Sequence, residues 1–338
     1  MNPKHASHIT HHALITGGAG FIGSHLAERL LADGASVTVI DDLSTGSVAN
    51  LGAAQTNPRF RFIQAKLSEC VELPDLIGEA DQIYHLAAAV GVELVVREPV
   101  RVIETNLHET EVLLDATATH GTPVLIASTS EVYGKSAKEE FQEEDDLLIG
   151  PPTHSRWSYA CSKLMDEFLA LAFAKERGLP VVITRLFNTV GPRQTGRYGM
   201  VLPRFIQAAQ RNEPLRVYGD GSQTRCFCYV QDTVEALVKL AQLPAATGHI
   251  FNVGNTEETS IAALAALVIE ALGSQSSIQF VPYNEAYEPG FEDMRRRKPS
   301  IGKLAQFTGF RPGTSLREII QKTAAAQPSA VRQNSNES

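Results

Sequence analysis

The chain has 338 residues, 43% of them hydrophobic, enough to bury one large core or two smaller ones. Its net charge of −8 excludes a nucleic-acid surface that tracks phosphates. The densest basic cluster, Arg295, Arg296, Arg297 and Lys298, directly follows Glu292 and Asp293. No apolar run reaches the roughly 18 residues of a membrane span, and the basic-then-apolar order of a signal peptide is missing, so a cytoplasmic protein without membrane contact is expected.

In chain order, the first twelve residues are polar and include His5, His8, His11 and His12. Four histidines this close offer metal ligands, but a frayed leader over residues 1–11 is the simpler reading, and no metal is expected. A strand follows at His12 to Thr16. Gly17-Gly18-Ala19-Gly20-Phe21-Ile22-Gly23 then opens a helix to about Ala32. Glycines at 17, 20 and 23 permit a tight turn, close approach to a pyrophosphate and close packing of helix on strand. A second strand, Ser36 to Ile40, ends in Asp41, a carboxylate placed for the adenosine ribose hydroxyls and repellent to a 2′-phosphate. That unit predicts a dinucleotide site preferring NAD to NADP.

Strands are predicted at Phe60 to Gln64, Gln82 to His85, Pro123 to Ser128 and Pro180 to Arg185, with long helices over Val100 to Thr119 and Tyr159 to Lys175. The alternation predicts a Rossmann-type α/β fold with a doubly wound parallel sheet. His85-Leu86-Ala87-Ala88 ends the fourth strand with small residues that can line a cofactor. His85 itself reads better as a hydrogen-bonded strand-end histidine than as a catalyst. In Trp157-Ser158-Tyr159-Ala160-Cys161-Ser162-Lys163, the four-residue step from Tyr159 to Lys163 sets both side chains on one helix face. An ammonium beside a phenol favours the phenolate, so Tyr159 is a candidate base.

Further along, helices are expected at Met200 to Gln210, from Tyr229-Val230-Gln231-Asp232, at Ser260 to Leu272 and at Ser315 to Thr323. A turn is expected at Tyr218 to Gly221 and a strand at Ile250 to Gly254. Cys70, Cys161, Cys226 and Cys228 show neither zinc spacing nor a disulfide framework. Cys226-x-Cys228 reads as one strand with both thiols buried on the same side. No internal repeat is visible, and a polar tail over 326–338 is expected to be disordered.

The glycine trio, His85-Leu86-Ala87-Ala88, Ser128-Thr129-Ser130-Glu131-Val132-Tyr133-Gly134 and Tyr159-x-x-x-Lys163 together resemble the extended short-chain dehydrogenase/reductases. More narrowly the chain resembles the nucleotide-sugar epimerases, dehydratases and decarboxylases, over residues 12 to 325. The resemblance implies a bound NAD that oxidises a UDP-sugar at C4 and later returns the hydride. It assigns the cofactor to Gly17, Gly20, Phe21, Ile22, Gly23, Asp41, Leu86, Ala87, Ala88, Tyr159 and Lys163. It makes Tyr159 the base, has Lys163 hold the nicotinamide ribose, and lets Thr129 bond the reacting oxygen. It places Asn188 and Arg225 on the diphosphate and Val217 and Tyr218 beside the nucleobase. A surface ion pair is the plainer reading of Arg225.

It further implies a dinucleotide domain of 12–187 with 229–253, a smaller C-terminal α/β substrate domain of 188–228 with 254–325, and a homodimer through a four-helix bundle fed by Val102, Leu107, Val112 and Leu113. One departure stands out: relatives place an aspartate near the adenine amino group, where this chain reads Gln64-Ala65-Lys66-Leu67.

The reaction turns on few residues. Relatives that dehydrate carry an Asp-Glu pair after the threonine, and this chain has Ser130-Glu131. The UDP-glucuronate decarboxylases carry Thr-Ser-Glu, matched by Thr129, Ser130 and Glu131, and an arginine before Lys-Pro, matched by Arg297. The bacterial decarboxylase of the lipid A aminoarabinose pathway shares an Arg-Trp-x-Tyr-x-x-Ser-Lys stretch with Arg156 to Lys163. Decarboxylation of UDP-glucuronate to a UDP-pentose or UDP-4-keto-pentose is therefore expected, with Arg297 holding the carboxylate and Glu131 managing its charge or the proton. The alternatives are a UDP-glucose or UDP-glucuronate 4-epimerase, in which Arg297 binds only the pyrophosphate, and a non-catalytic NAD-sensing regulator.

Overall fold

The computed structural model describes residues 11–196, 200–282 and 294–327. His5, His8, Glu292, Asp293 and most of the tail fall outside these residues. The described strands are β1 (His12–Thr16), β2 (Ser36–Asp41), β3 (Phe60–Gln64), β4 (Gln82–His85), β5 (Val124–Thr129), β6 (Val181–Leu186), β7 (Thr189–Val190), β8 (Leu215–Tyr218), β9 (Thr224–Cys226), β10 (Cys228–Tyr229), β11 (Ile250–Val253), β12 (Glu258–Ser260) and β13 (Ile278–Val281). The α-helices are α1 (Phe21–Ala32), α2 (Leu73–Glu79), α3 (Val92–Arg97), α4 (Pro99–His120), α5 (Trp157–Arg177), α6 (Val201–Gln210), α7 (Val230–Ala241), α8 (Ile261–Leu272), α9 (Gly302–Thr308) and α10 (Leu316–Ala326).

Seven strands form one sheet in the order β3-β2-β1-β4-β5-β6-β11, and every pair is parallel. The order reverses between β1 and β4, which is where a doubly wound sheet opens a crevice at its carboxyl ends. The strands are buried on both faces, as Leu14, Ile15, Val39, Ile40, Ile83, Leu125, Ile126 and Ile183 show, so they read as apolar runs rather than alternations. One face packs Leu26, Leu30, Val234 and Leu237 of α1 and α7. The other packs Leu76 and Ile77 of α2, Leu113 and Leu114 of α4, and Ala170 and Phe173 of α5. A separate core joins Leu202, Phe205 and Ile206 of α6, Val217 of β8, Leu264 and Val268 of α8, and Ile319 and Ile320 of α10.

Most element boundaries fall within two residues of the sequence reading. The exceptions are instructive. Cys226 and Cys228 do not share a strand: Cys226 pairs antiparallel with Glu258, while Cys228 pairs parallel with Thr189. Both thiols are free and buried, and burial pushes each up to about 12, so they stay protonated. The predicted turn at Tyr218 begins one residue late, because Leu215–Tyr218 pairs with β13 before Gly219 turns the chain. Val102 and Leu113, expected on a dimer face, are both fully buried within the chain. The large apolar side chains exposed on α4 and α5 are Val100, Ile103, Met165 and Phe168.

Candidate active site

A cavity of about 830 Å³ runs from the β1–α1 turn across the carboxyl ends of the sheet to α6 and β8. At its first end Gly17 has φ +70°, and a Cβ there would stand 2.6 Å from the Ala87 amide nitrogen. A Cβ on Gly23 would stand 2.4 Å from the Gly17 carbonyl, so α1 begins pressed against the turn that precedes it. Asp41 accepts the Ala19 N–H through Oδ2 at 2.9 Å and the Leu43 N–H through Oδ1 at 2.8 Å. Burial raises the Asp41 carboxyl, and these two amides oppose the rise. Gly17, Gly20, Phe21, Ile22, Gly23, Asp41, Leu86, Ala87 and Ala88 all line the cavity, as a dinucleotide cradle requires.

After β3, Ala65, Lys66 and Leu67 line the wall, with Lys66 bonded to Glu69 at 3.1 Å. The carboxylate on this side comes from α4. Glu109, nearly buried, accepts the Ser68 N–H at 3.0 Å and the Ser68 hydroxyl at 2.7 Å. Nothing in the local pattern around Glu109 marks it, because its partner lies on another element.

At the centre of the cavity Thr129, Ser130, Glu131, Tyr159, Arg156 and Arg297 share one wall. The β5 strand ends at Thr129, whose hydroxyl accepts the Glu131 N–H at 3.2 Å and so starts the turn that presents Ser130 and Glu131. Arg297 Nη1 lies 3.3 Å from Glu131 Oε1, and Arg156 Nη2 lies 4.0 Å from Glu131 Oε2. Both guanidiniums are almost wholly buried. The sequence reading missed Arg156 as a site residue, although it begins the Arg-Trp-x-Tyr stretch.

Tyr159 is 8% exposed, and burial pushes its hydroxyl well up, with Glu131 and Asp166 adding to the rise. The Thr129 side chain hydrogen-bonds Tyr159 and, with Arg297, opposes that rise. The expectation that the neighbouring ammonium lowers the tyrosine is therefore corrected: the net shift is upward, because burial outweighs every opposing contact. Lys163 is 2% exposed, is not part of the cavity wall, and donates to Asp166 Oδ2 at 2.7 Å.

His85 meets Thr16 Oγ1 at 2.8 Å and Thr110 Oγ1 at 3.1 Å. Burial, helped by Lys163, lowers it to about 3, so the ring is neutral and structural. Behind the turn, Arg185 donates to both oxygens of Glu167 at 2.8 to 3.2 Å and to the Glu143 carbonyl at 3.1 Å. Ser128 donates to the same glutamate. That clamp ties β5, β6 and α5 together beneath the wall that bears Glu131 and Tyr159.

At the second end Asn188 holds φ +27° and donates from Nδ2 to the Cys226 carbonyl at 3.1 Å. Arg225 is 7% exposed on the cavity wall, which removes the surface ion pair as its explanation. Along β8 the side chains alternate: Leu215 and Val217 are buried, while Arg216 and Tyr218 line the cavity. Of the two residues expected beside a nucleobase, Tyr218 lines the cavity and Val217 faces the core instead. Arg204 of α6 lies over the Tyr218 ring at 4.8 Å and donates to its hydroxyl. Among the described residues no group of three or more histidine, cysteine or carboxylate side chains is arranged to hold a metal, and no helix is long and apolar enough to cross a membrane.

With this geometry in hand, comparison with known proteins is specific. Residues 13–254 match the NAD dependent epimerase/dehydratase family. A UDP-N-acetyl-alpha-D-glucosaminuronate decarboxylase of Bacillus cytotoxicus is 41% identical over 311 residues, covering 92% of this chain and 95% of that protein. UDP-glucuronic acid decarboxylase 1 of Arabidopsis thaliana is 39% identical over 311 residues, covering 91% of this chain and 68% of that one. Among solved structures, the UDP-glucuronic acid 4-epimerase of Bacillus cereus, in complex with UDP-glucuronic acid and NAD, superposes with a TM-score of 0.83 at 28% identity, covering 93% and 98% of the two chains.

Proposed function

The chain belongs to the NAD dependent epimerase/dehydratase family, and we propose that within it the reaction is the decarboxylation of a UDP-hexuronate through a 4-keto intermediate. The protein is an enzyme of NAD-dependent UDP-sugar chemistry. Its Gly17–Gly23 turn, Asp41 and the Leu86–Ala88 segment fit the cofactor, which when bound accepts a hydride from the sugar and gives it back.

The rest is work for the chain's own side chains. Tyr159 takes the proton of the C4 hydroxyl, and Thr129 holds that oxygen. The ketone so formed lies β to the C5 carboxylate. The bond from C5 to the carboxylate carbon breaks, its electron pair passes to the ketone oxygen as an enolate, and carbon dioxide leaves. A proton then returns to C5. Arg297 orients the carboxylate before the bond breaks, and the negative Glu131 beside it discourages that carboxylate from settling too deeply. Lys163 and Tyr159 hold the nicotinamide ribose, and Asn188, Tyr218 and Arg225 hold the nucleotide.

The observation that carries this reading is the buried pairing of Glu131 with Arg297 on the wall that bears Tyr159. The 4-epimerase remains the second reading, because a superposable solved structure is a UDP-glucuronic acid 4-epimerase. A purely NAD-sensing protein has no use for Thr129, Tyr159 and Lys163 together.

We further read 12–187 with 229–253 as the cofactor domain and 188–228 with 254–325 as the substrate domain, which accords with β11 joining the large sheet. A homodimer through α4 and α5 accounts for their exposed Val100, Ile103, Met165 and Phe168. A reducing, cytoplasmic setting accords with four free thiols.

The test is to incubate the purified enzyme and NAD separately with UDP-glucuronate, UDP-N-acetylglucosaminuronate and UDP-glucose, and to weigh the products. Loss of the mass of carbon dioxide from either uronate supports decarboxylation. Unchanged mass with inverted C4 configuration makes the protein a 4-epimerase.

A further inference from the structure

Lys163 does not stand alone beside Tyr159. Its ammonium donates to Asp166 Oδ2 at 2.7 Å, three residues on along α5, with Lys163 2% and Asp166 0% exposed. The aspartate is enclosed from α4 by Thr110, whose side chain hydrogen-bonds it. Thr110 Oγ1 also meets His85 Nε2 at 3.1 Å, and His85 Nδ1 meets Thr16 Oγ1 at 2.8 Å. The Thr16 hydroxyl then accepts the Ala87 N–H on the cavity wall at 3.3 Å. A buried row of polar groups therefore links the lysine–aspartate pair to the segment that ends β4. The position three residues after Lys163 faces the protein interior, where an apolar side chain avoids the several kcal/mol of desolvation that a buried charge costs.

We propose that Asp166 is a positioning residue of the reaction: it fixes the Lys163 ammonium in one place and sets how much of that charge reaches the Tyr159 hydroxyl. The proposal rests on the reading of Tyr159 as the base. A lone ammonium in a low-dielectric site acts on a phenol as a full charge. The same ammonium 2.7 Å from a carboxylate acts as a dipole, whose field falls off faster with distance. α3 and α4 pack apolar side chains (Leu94, Val95, Val102) against Tyr159, and the polar groups acting on it come from other segments. From α5 there is Asp166, with Lys163 bonded to it four residues after Tyr159 on the same helix, from the turn after β5 Glu131 and the Thr129 hydroxyl, and from the C-terminal segment Arg297. His85 of β4, which is neutral, is in turn influenced by Lys163. Burial raises the tyrosine first, Glu131 and Asp166 raise it further, and Thr129 and Arg297 oppose them. Asp166 thus adds to burial and to Glu131 in keeping the resting tyrosine protonated, and holds Lys163 ready for the ribose.

The experiment compares wild type, Asp166→Asn and Asp166→Glu in the pH dependence of kcat/KM with UDP-glucuronate. It is paired with ultraviolet titration of the phenol, read as the difference from Tyr159→Phe. With the negative charge gone and the shape kept, the acid limb in Asp166→Asn moves to lower pH by about one unit, a roughly tenfold gain in relative rate at the foot of the limb. Asp166→Glu restores the original limb. A well-folded Asp166→Asn whose acid limb and phenol titration coincide with wild type overturns the proposal. Should Asp166→Asn not fold, Lys163→Met/Asp166→Leu removes both buried charges at little cost in stability. Its phenol must then titrate below that of Lys163→Met alone, and equality overturns the proposal. Retained turnover in Tyr159→Phe defeats the underlying reading instead, so the two failures are distinct.

Discussion

Arg297 and Glu131, 166 positions apart in the chain, meet on the cavity wall with Arg297 Nη1 3.3 Å from Glu131 Oε1. Arg297 arrives on the segment that follows residue 294, where Phe141 bridges to Pro299 and the Phe141 N–H donates to the Lys298 carbonyl at 2.9 Å. Glu131 is delivered by the turn at the end of β5. A substrate carboxylate reaching this wall competes with Glu131 for the same guanidinium.

That competition predicts a split outcome for Arg297→Ala. Turnover of a UDP-hexuronate falls by at least about a hundredfold, since a charged orienting contact is lost, while UDP affinity by calorimetry changes little. A collapse of UDP affinity means that Arg297 grips the pyrophosphate. Arg297→Lys recovers only part of the loss, because a point charge does not reproduce the planar fork.

Tyr159→Phe keeps the ring and removes the ionisable oxygen. Turnover is expected to drop by at least about a hundredfold with UDP binding intact. Turnover near wild type in this variant rules Tyr159 out as the base.

Asp41 has spent one lone pair of each oxygen on a backbone amide, from Ala19 and from Leu43, and the others are expected to take ribose hydroxyls. A 2′-phosphate on that ribose meets a fixed carboxylate. NAD is expected to bind at least about tenfold more tightly than NADP in a direct titration, and equal affinities contradict the role given to Asp41.

The end of the cavity beside the β1–α1 turn was legible in the sequence because its signals are local. A strand, Gly17, Gly20, Gly23, a helix and Asp41 follow one another within a single βαβ unit, and the strand-end run Leu86-Ala87-Ala88 is equally compact. What stayed hidden depends on contacts between distant elements. Arg156 gains meaning only when Glu131 comes within 4.0 Å of it, and Glu109 only when Ser68 turns towards α4. Asp166 reads as one more polar residue on a helix until the fold buries it. Val217 failed for a different reason. One residue of register along β8 exchanges core for cavity, and a four-residue strand carries too short an alternation to fix it.

The exposed Phe168 and Met165 of α5 and Ile103 of α4 predict a dimer interface. Sedimentation at micromolar concentration is expected to give a dimer in wild type and a monomer in Phe168→Glu/Met165→Glu. A wild-type monomer removes the four-helix arrangement.

His85 supplies a prediction on stability rather than catalysis. Burial, and then the nearby Lys163, depress it from 6.5 to about 3 in the folded chain. Once pH falls below 6.5 the unfolded chain takes up this proton and the folded chain does not, so stability declines with falling pH until about pH 3. Over the first 1.5 units of acidification the loss amounts to about 2 kcal/mol. Urea unfolding of wild type and His85→Gln at a series of pH values isolates this contribution, because the carboxylates common to both proteins cancel in the difference. The variant starts less stable, having lost its bonds to Thr16 and Thr110, but the gap narrows as the pH is lowered. A gap that stays constant between about pH 7 and 5 means that His85 titrates alike in both states, and its neutrality in the folded enzyme is then wrong.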